Sequence, residues 1–300
     1  MNKDLIRSFI RSKVGGALYN VARVISGYDY VRKNASLREK DPIYMTPLRQ
    51  NDTRYFYQLS FWAEFYQYFR GKTLFVPGTD KTQLMYWSLN FGYLPIKYDY
   101  DDYFSHVIKS PERALIRKAI KNGYTCREIN YDEHLEEIHI INISKETRQG
   151  RLMISDYSNE LKPRQSIVGK LGQEIHTFGC FNSDGRLVAY YMFELHGENT
   201  IHTVKGIGHA ESLKFGVMNY LFAISLSKLF EYHPDGKFTL LYGPIDNGGG
   251  LSRFKRNVGC KFGCPVICSN QQFFNDLKKF NKKYKIHGDT GLNFVLENIG

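Results

Sequence analysis

Residues 239–262 combine a short apolar run, a Gly-rich turn and a cationic helix start. The apolar run ends at Tyr242, and three of the four residues from 247 to 250 are glycines. Three cations follow near the start of a predicted helix: Arg253, Lys255 and Arg256. A helix N-terminus with cations beside it attracts anions, because its first N–H groups lack intrahelical partners. This spacing predicts a strand-loop-helix unit that binds an anionic ligand.

The cysteines allow a second chemistry, metal binding. Cys260, Cys264 and Cys268 are evenly spaced, but the spacing departs from Cys-x2-Cys and no fourth ligand follows at zinc-site spacing. Strand residues four apart share one face, so buried thiols are the alternative interpretation, and we expect no metal. Five cysteines, an odd number, favour a reducing compartment over a disulfide framework.

The net charge is unevenly placed. The formal charge of the chain is +11, and residues 1–40 alone hold nine Lys or Arg against three Asp or Glu. Two further basic clusters follow: Lys109, Arg113, Arg117, Lys118, Lys121 and Arg127, and then Lys278, Lys279, Lys282, Lys283 and Lys285. Such clusters favour phosphorylated partners such as nucleic acid, anionic lipid or a nucleotide-like cofactor. A solvated surface is the other interpretation.

Residues 1–25 are predicted to form a basic amphipathic helix. Apolar residues recur there at helical spacing from Ile6 to Ile25, with a weak point at Gly15. Such a helix either lies on an anionic membrane surface or packs its apolar stripe on the domain. No apolar run is long enough to span a membrane, and no secretory signal is evident. We expect a cytoplasmic protein, with peripheral attachment to the inner face of the membrane as the alternative.

The elements before residue 150 are predicted from periodicity and from Gly and Pro punctuation. Helices are expected at 52–70, 82–91, 111–122 and 132–147. Extended segments are expected at 72–76, 93–98 and 124–129, and a loop at 98–103.

From residue 175 the pattern becomes a meander followed by alternating helices and strands. Ser183, Asp184 and Gly185 form a hairpin signal between two strands. A third strand begins at Thr200, and a long helix ends near Tyr232. The predicted elements after it are a strand at 238–242, a helix at 250–258, a strand at 261–268 and a basic helix at 271–283.

This order resembles the Gcn5-related acyltransferase (GNAT) fold. Residues 181–191 (Phe-Asn-Ser-Asp-Gly-Arg-Leu-Val-Ala-Tyr-Tyr) look like the central hairpin of that fold. Residues 204–210 (Val-Lys-Gly-Ile-Gly-His-Ala) look like a variant of its pyrophosphate loop, Gln/Arg-x-x-Gly-x-Gly/Ala, with Lys205 in the first place. Glycines in such a loop let backbone N–H groups approach a diphosphate.

Within this superfamily the chain resembles the Fem-type acyltransferases, which add amino acids to peptidoglycan precursors. The matching segments are 241–245 (Leu-Tyr-Gly-Pro-Ile), 250–262 and 113–123, and the resemblance covers roughly residues 110–270. Residues 146–151 (Glu-Thr-Arg-Gln-Gly-Arg) also resemble GNAT-like proteins of surface-polysaccharide loci.

The resemblance implies an α/β (α+β) fold with a mixed, mostly antiparallel sheet flanked by helices. We predict a basic N-terminal segment at 1–40, an incomplete first GNAT-like half at 41–130 and a GNAT-like acyltransferase domain at 131–300. Fem-type enzymes carry two such halves, whereas the first half is short here.

The resemblance also implies the reaction, transfer of an acyl group from acetyl-CoA or another acyl-CoA to an amine such as an amino sugar or a cell-envelope precursor. The amine must lose a proton, and the candidate bases are His209, Glu194, His196, His202 and Asp246. Tyr242 could protonate a thiolate, or it could be a core residue. The expected cofactor-binding residues are Lys205, Gly206, Gly208, His209 and Ala210. Arg148, Arg151 and Arg253 could hold an anionic acceptor or lie on the surface.

Two alternatives remain open. The basic clusters would suit a Fem-type transfer from aminoacyl-tRNA. The basic N-terminal helix would suit a GNAT-like protein without activity that binds nucleic acid or a membrane surface.

Overall fold

The computed structural model describes residues 42–52, 55, 58–59, 61–63, 72–75, 83–86, 91–148, 151–152, 174–233, 238–244, 249–269 and 271–284. The amphipathic helix predicted between Ile6 and Ile25 lies outside the described residues, as does Asp246.

The described strands are short before residue 174 and long after it. They are β1 (Pro42–Met45), β2 (Lys72–Phe75), β3 (Gln83–Tyr86), β4 (Phe91–Pro95), β5 (Thr125–Glu128), β6 (Thr147–Arg148), β7 (Arg151–Leu152), β8 (Ile175–Phe181), β9 (Leu187–Leu195), β10 (Thr200–Gly208), β11 (Thr239–Pro244) and β12 (Lys261–Ser269). The main helices are α1 (Ser110–Lys121), α2 (Leu135–Ile143), α3 (Val217–Tyr232), α4 (Gly250–Asn257) and α5 (Gln271–Tyr284).

The strands form one mixed sheet beside a small β6–β7 ribbon. The strand order of the sheet is β2-β3-β12-β4-β11-β10-β9-β8-β5, with β1 added alongside β12. All neighbouring pairs are antiparallel except β10 with β11 and β1 with β12. From β8 onward the chain follows the predicted order, so the predicted mixed and mostly antiparallel fold flanked by helices is confirmed.

Two predictions for the first part of the chain were wrong. Residues 82–91 were expected to be helical, but Gln83–Tyr86 is the strand β3 and Phe91 begins β4. Hydrogen bonds to strands on both sides of β3 override the local helical pattern. The loop predicted at 98–103 is helical from Tyr100 to Val107, because Asp99 caps the turn by accepting a 2.7 Å hydrogen bond from Asp102 N.

Helices cover one face of the sheet, and the largest apolar core lies between this face and the helices. The buried side of α3 packs against β9 and β10, with Phe222 and Leu226 among the residues of this core. α1 packs on α3, and its start is tied to the end of α4 by a 2.8 Å bond from Lys109 N to Asn257 O. These contacts fix the helices around the ends of β10 and β11.

The other face is covered at its two ends by different elements. α2 packs on Tyr190 and Met192 of β9. The helical residues between 55 and 63 pack with α5 on β4, β11 and β12. The chain after β1 is anchored to the β9–β10 turn, where Glu198 N donates to Thr46 O at 2.9 Å.

The sheet contains strands from both sides of residue 130. β4 lies between β11 and β12, and β5 pairs with β8. Because strands from both sides of residue 130 share this sheet, its topology does not test the predicted domain boundary, which stays a prediction. Among the described residues no helix combines the length and apolarity needed to cross a membrane.

Candidate functional site

The parallel strands β10 and β11 separate after the first third of β10. They pair only from Thr200 to His202, against residues 239–241, while β10 continues to Gly208. The register between β10 and β9 shifts between Thr203 and Lys205, which marks a bulge that bends β10. We call the space between residues 203–208 and 242–244 the β10–β11 gap. Ligands commonly bind beyond the carboxyl ends of parallel strands that part in this way.

Two tyrosines bridge the gap on the α3 face. The hydroxyls of Tyr191 on β9 and Tyr242 on β11 lie 2.7 Å apart, and both side chains are buried. The Tyr242 ring stacks on Phe222 of α3 at a centroid distance of 5.2 Å. Burial raises the pKa of both phenols above their usual range, so both stay neutral at physiological pH.

Gly206 makes this bridge possible. A Cβ placed on Gly206 would lie 2.0 Å from Cε1 of Tyr191, so only glycine lets the ring cross β10. Gly208 is similarly confined, because a Cβ there would lie 2.8 Å from Leu213 and 3.0 Å from Met218. Packing within the chain therefore requires the glycine at 206, whereas a Cβ at 208 would meet the flexible ends of Leu213 and Met218.

Lys255 is a buried cation at the mouth of the gap. Only 2% of this α4 residue is exposed, and its Nζ lies 3.3 Å from Gly243 O and 4.9 Å from the centre of the Tyr242 ring. Gly243 has a φ of 62°, which places its carbonyl within reach of the ammonium. The sequence pattern placed Lys255 with the anion-binding cations but did not distinguish it from its exposed neighbours Arg253 and Arg256.

Glu194 and His196, which are buried, and the half-buried His202 form a polar cluster on the opposite face of the sheet. Glu194 and His202 are direct cross-strand partners, and alternation along β9 puts Glu194 on the face opposite Tyr191. Glu194 Oε2 lies 3.3 Å from His196 Nε2. Phe61 stacks on His196 at a centroid distance of 3.6 Å, so this residue, which follows β1 in the chain, covers part of the cluster.

His202 is held neutral in this cluster. Burial is the largest cause, and the neighbouring His196 adds to it, so the pKa of His202 falls to about 3. Its Nδ1 is buried and has no hydrogen-bond partner among the described residues. The cluster therefore offers a carboxylate and a neutral imidazole nitrogen beside the last paired residues of β10 and β11.

The predicted pyrophosphate loop is folded differently from an open cradle. Residues up to Gly208 belong to β10, and N–H groups in the turns that follow donate hydrogen bonds to acceptors within the chain. His209 N donates to Val188 O at 2.7 Å, Ala210 N donates to Ser144 Oγ at 3.1 Å, and Leu213 N donates to His209 O. A diphosphate would have to displace these bonds to reach the same N–H groups.

The remaining predicted site residues lie apart from the polar cluster. His209 follows the end of β10 and lies seven residues after His202, about 23 Å at strand spacing. Arg148 and Arg151 are register partners in the β6–β7 ribbon, and Arg253 is exposed on α4. The structure thus brings Glu194, His196 and His202 together, places Tyr242 across the sheet from them, and leaves His209 at the far end of the gap.

Among the three evenly spaced cysteines, the structure describes the side-chain environment of Cys260. Cys260 lies just before β12 and is buried, and burial raises the pKa of its thiol to about 12. A protonated buried thiol behaves as a small apolar side chain, which agrees with the interpretation of this residue as core.

Comparison with known proteins gives matches among solved structures alone. No protein family and no curated protein matches the sequence. The chain is similar to the crystal structure of FemX, with 13% identity, a TM-score of 0.46 and coverage of 62% of this chain and 63% of FemX. It is similar to a tandem GNAT protein from the clavulanic acid biosynthesis pathway, with 12% identity, a TM-score of 0.40 and coverage of 59% and 50%. It is also similar to L-PGS from Bacillus licheniformis, with 14% identity, a TM-score of 0.40 and coverage of 72% and 69%. The chain spans less than two thirds of the length of the first two structures.

Proposed function

We propose that the protein is an acyltransferase that moves an acyl group from an acyl-CoA to an amine at the β10–β11 gap. The observation that carries this proposal is the separation of the two parallel strands: in the described part of the chain β11 pairs with residues 200–202 of β10, whereas β10 continues to Gly208. An extended ligand arm with amide groups can lie along such an edge and hydrogen-bond to it as a strand does. The pantetheine arm of coenzyme A has this chemistry.

In the proposed reaction the acyl carbonyl lies against a backbone N–H of the β10 edge. The amine attacks the carbonyl carbon, and this N–H stabilises the oxyanion that forms. The C–N bond forms and the C–S bond breaks, Glu194 takes up the amine proton, and the leaving thiolate takes up a proton from solvent. Tyr242 donates a hydrogen bond near the leaving sulfur, and Lys255 places positive charge beside it. The acceptor is expected to be an amino sugar or another cell-envelope precursor.

Acetyl-CoA binding tests the donor. We expect millimolar acetyl-CoA to raise the thermal midpoint of the full chain, because a ligand that binds the folded state alone stabilises it. The absence of any shift at that concentration would count against an acyl-CoA donor.

A matched pair of glutamate variants tests the base. Glu194 is buried, whereas Glu198 is exposed in the following turn. We expect Glu194→Gln to lower kcat/KM by about 100- to 10,000-fold, the range for loss of a general base, and Glu198→Gln to leave it unchanged. The measurement is release of the CoA thiol with a panel of amino sugars. Equal activity of both variants would remove Glu194 from the reaction.

Aminoacyl-tRNA is the second candidate donor, and two observations favour it. The N–H groups of His209, Ala210, Ser212 and Leu213 are already bonded within the chain, which leaves a diphosphate little to bind. A basic surface also lies beside them: Arg117, Lys118 and Lys121 of α1 are exposed, and Lys118 Nζ donates to Lys214 O at 3.1 Å. Clustered cations of this kind neutralise phosphates of nucleic acids.

Binding of tRNA as a function of salt separates the two donors. If the α1 surface neutralises several phosphates, the logarithm of the association constant falls steeply with the logarithm of the salt concentration. Replacement of Lys118 and Lys121 by Gln should flatten this slope. Replacement of Lys97 and Arg186 by Gln, two exposed cations outside the basic clusters, is the control for removal of two positive charges. Failure to bind tRNA at low salt would exclude this donor.

A further inference from the structure

Glu174, His176 and His233 converge at the edge of the sheet, away from the β10–β11 gap. Glu174 precedes β8, His176 is the second residue of β8, and His233 caps the C-terminus of α3. One ligand atom from each side chain lies within 4.8 Å of the other two, the arrangement needed to hold a metal ion. Glu174 Oε1 is 2.8 Å from His176 Nε2 and 3.5 Å from His233 Nε2.

The His176 ring is oriented as in the ligand of a metal site. Its Nδ1 lies 3.0 Å from Glu128 Oε1, which directs Nε2 towards Glu174. Glu128 in turn accepts a 2.6 Å hydrogen bond from the Tyr232 hydroxyl, and the Tyr232 ring stacks on His176. A carboxylate on the second nitrogen of a histidine fixes the ring and raises the basicity of the first nitrogen, as it does around protein-bound metals.

His233 supplies a second, independent indication. Its side chain is 13% exposed, and its Nε2 is buried without a hydrogen-bond partner among the described residues, although it points towards Glu174. A buried nitrogen left in this way costs free energy that a bound cation would recover. His233 also lies at the negative end of the α3 dipole, which favours a cation at this position.

We propose that Glu174, His176 and His233 form a site for a divalent metal ion of the zinc class. Two imidazole nitrogens and one carboxylate oxygen are a ligand set that Zn²⁺ accepts, with water in the fourth position. Bonds of about 2.1 Å in a tetrahedron separate the ligand atoms by roughly 3.4 Å. The separation between Glu174 and His233 already fits this geometry. The shorter contact between Glu174 and His176 opens when the metal replaces the proton on His176 Nε2, which leaves to solvent.

The consequence of this site would be structural. The metal would tie the start of β8 to the end of α3, two elements that the side chains of Glu174, His176 and His233 bring together. We therefore expect metal binding to stabilise the sheet edge at β5 and β8 without contact with the β10–β11 gap.

The test uses the full chain, untagged, stripped with a chelator and reloaded with Zn²⁺. We expect one zinc per chain by elemental analysis after gel filtration and a rise of several degrees in the thermal midpoint. His233→Ala should lose the bound zinc, and Glu128→Gln should weaken it about 10- to 100-fold, as for loss of a supporting carboxylate. Both constants come from competition with a chromophoric chelator.

Two control variants define the site. His134→Ala removes another histidine with a carboxylate partner, since His134 Nδ1 lies 2.6 Å from Glu137 Oε2, and should keep full zinc binding. Cys264→Ser tests the spaced cysteines and should also keep it. The Co²⁺ form of the unmodified chain should lack a thiolate charge-transfer band, which keeps the test decisive if His233→Ala does not fold. No retained zinc, retention by a folded His233→Ala or a thiolate band would each overturn the proposal.

Discussion

The hydroxyl pair of Tyr191 and Tyr242 should show strong energetic coupling. Replacing either residue with Phe removes the 2.7 Å bond and leaves the other hydroxyl buried without it. We expect each single variant to lose about 1–3 kcal/mol in the free energy of unfolding. The rings pack edge to face at 6.3 Å, and Phe keeps their shape. The double Phe variant removes both hydroxyls together, so it should cost no more than one single variant.

The expected coupling energy is therefore about 1–3 kcal/mol, read from a double-mutant cycle. The assay is urea unfolding followed by fluorescence, with equal m-values for the four proteins as the check on two-state behaviour. Single effects that add to within about 0.5 kcal/mol would refute the reasoning, because independent sites add to that accuracy.

Tyr190 gives the control for this cycle. It neighbours Tyr191 in sequence but points to the other face, where its hydroxyl donates to Asn142 Oδ1 at 2.8 Å. Tyr190→Phe should itself be destabilising, but its effect should add to that of Tyr242→Phe. Coupling in this control would show that the assignment of faces along β9 is wrong.

Three further predictions concern stability. Gly206→Ala should lower the free energy of unfolding, measured in urea, by about 1–3 kcal/mol because its Cβ would overlap Tyr191. The control Gly250→Ala, with no atom within 4 Å of the added Cβ, should be neutral or stabilising. Equal effects of the two variants would contradict the close contact between Gly206 and the Tyr191 ring. Between pH 7 and 5 His202 becomes protonated in the unfolded chain but stays neutral in the folded chain, so this residue should lower the free energy of unfolding by about 2 kcal/mol. His202→Gln should remove this part of the pH dependence of stability, whereas the control His106→Gln, at an exposed histidine, should keep it. Gly197→Ala should destabilise more than Gly250→Ala, because Gly197 has a φ of 82° and its Cβ would lie 2.2 Å from Thr46 O; a calorimetric midpoint equal to that of Gly250→Ala would refute this.

The second half of the fold could be predicted because its local signals agree with its tertiary contacts. The hairpin at Ser183–Gly185, the glycine after α4 and the long helix before Tyr232 all have their own punctuation. The first part was harder. Residues 83–86 form a strand because β12 and β2 flank them, and a partner as distant in the chain as β12 leaves no local pattern.

The site could be predicted only in part for the same reason. Glu194 was selected by its strand, but its face depended on a register that the sequence did not determine. The burial of Lys255 depends on contacts with Gly243 and Tyr242, which belong to a different element and which the local pattern around Lys255 does not reveal. The Glu174, His176 and His233 cluster joins residues from two distant elements and has no spacing motif that could have revealed it.

The place of β4 in the sheet has a consequence for synthesis of the chain. Tyr93 of β4 pairs with Leu241 and with Lys261, and both partners come much later in the chain than β4. When β4 leaves the ribosome, neither neighbouring strand has been synthesised. The backbone groups on both edges of β4 therefore stay unpaired until β11 and β12 have emerged. Pairings over such separations form slowly, and unpaired edges invite contacts between chains. Maturation in the cell should therefore depend on protection of β4 during translation, and truncation after α3 should leave an aggregating fragment.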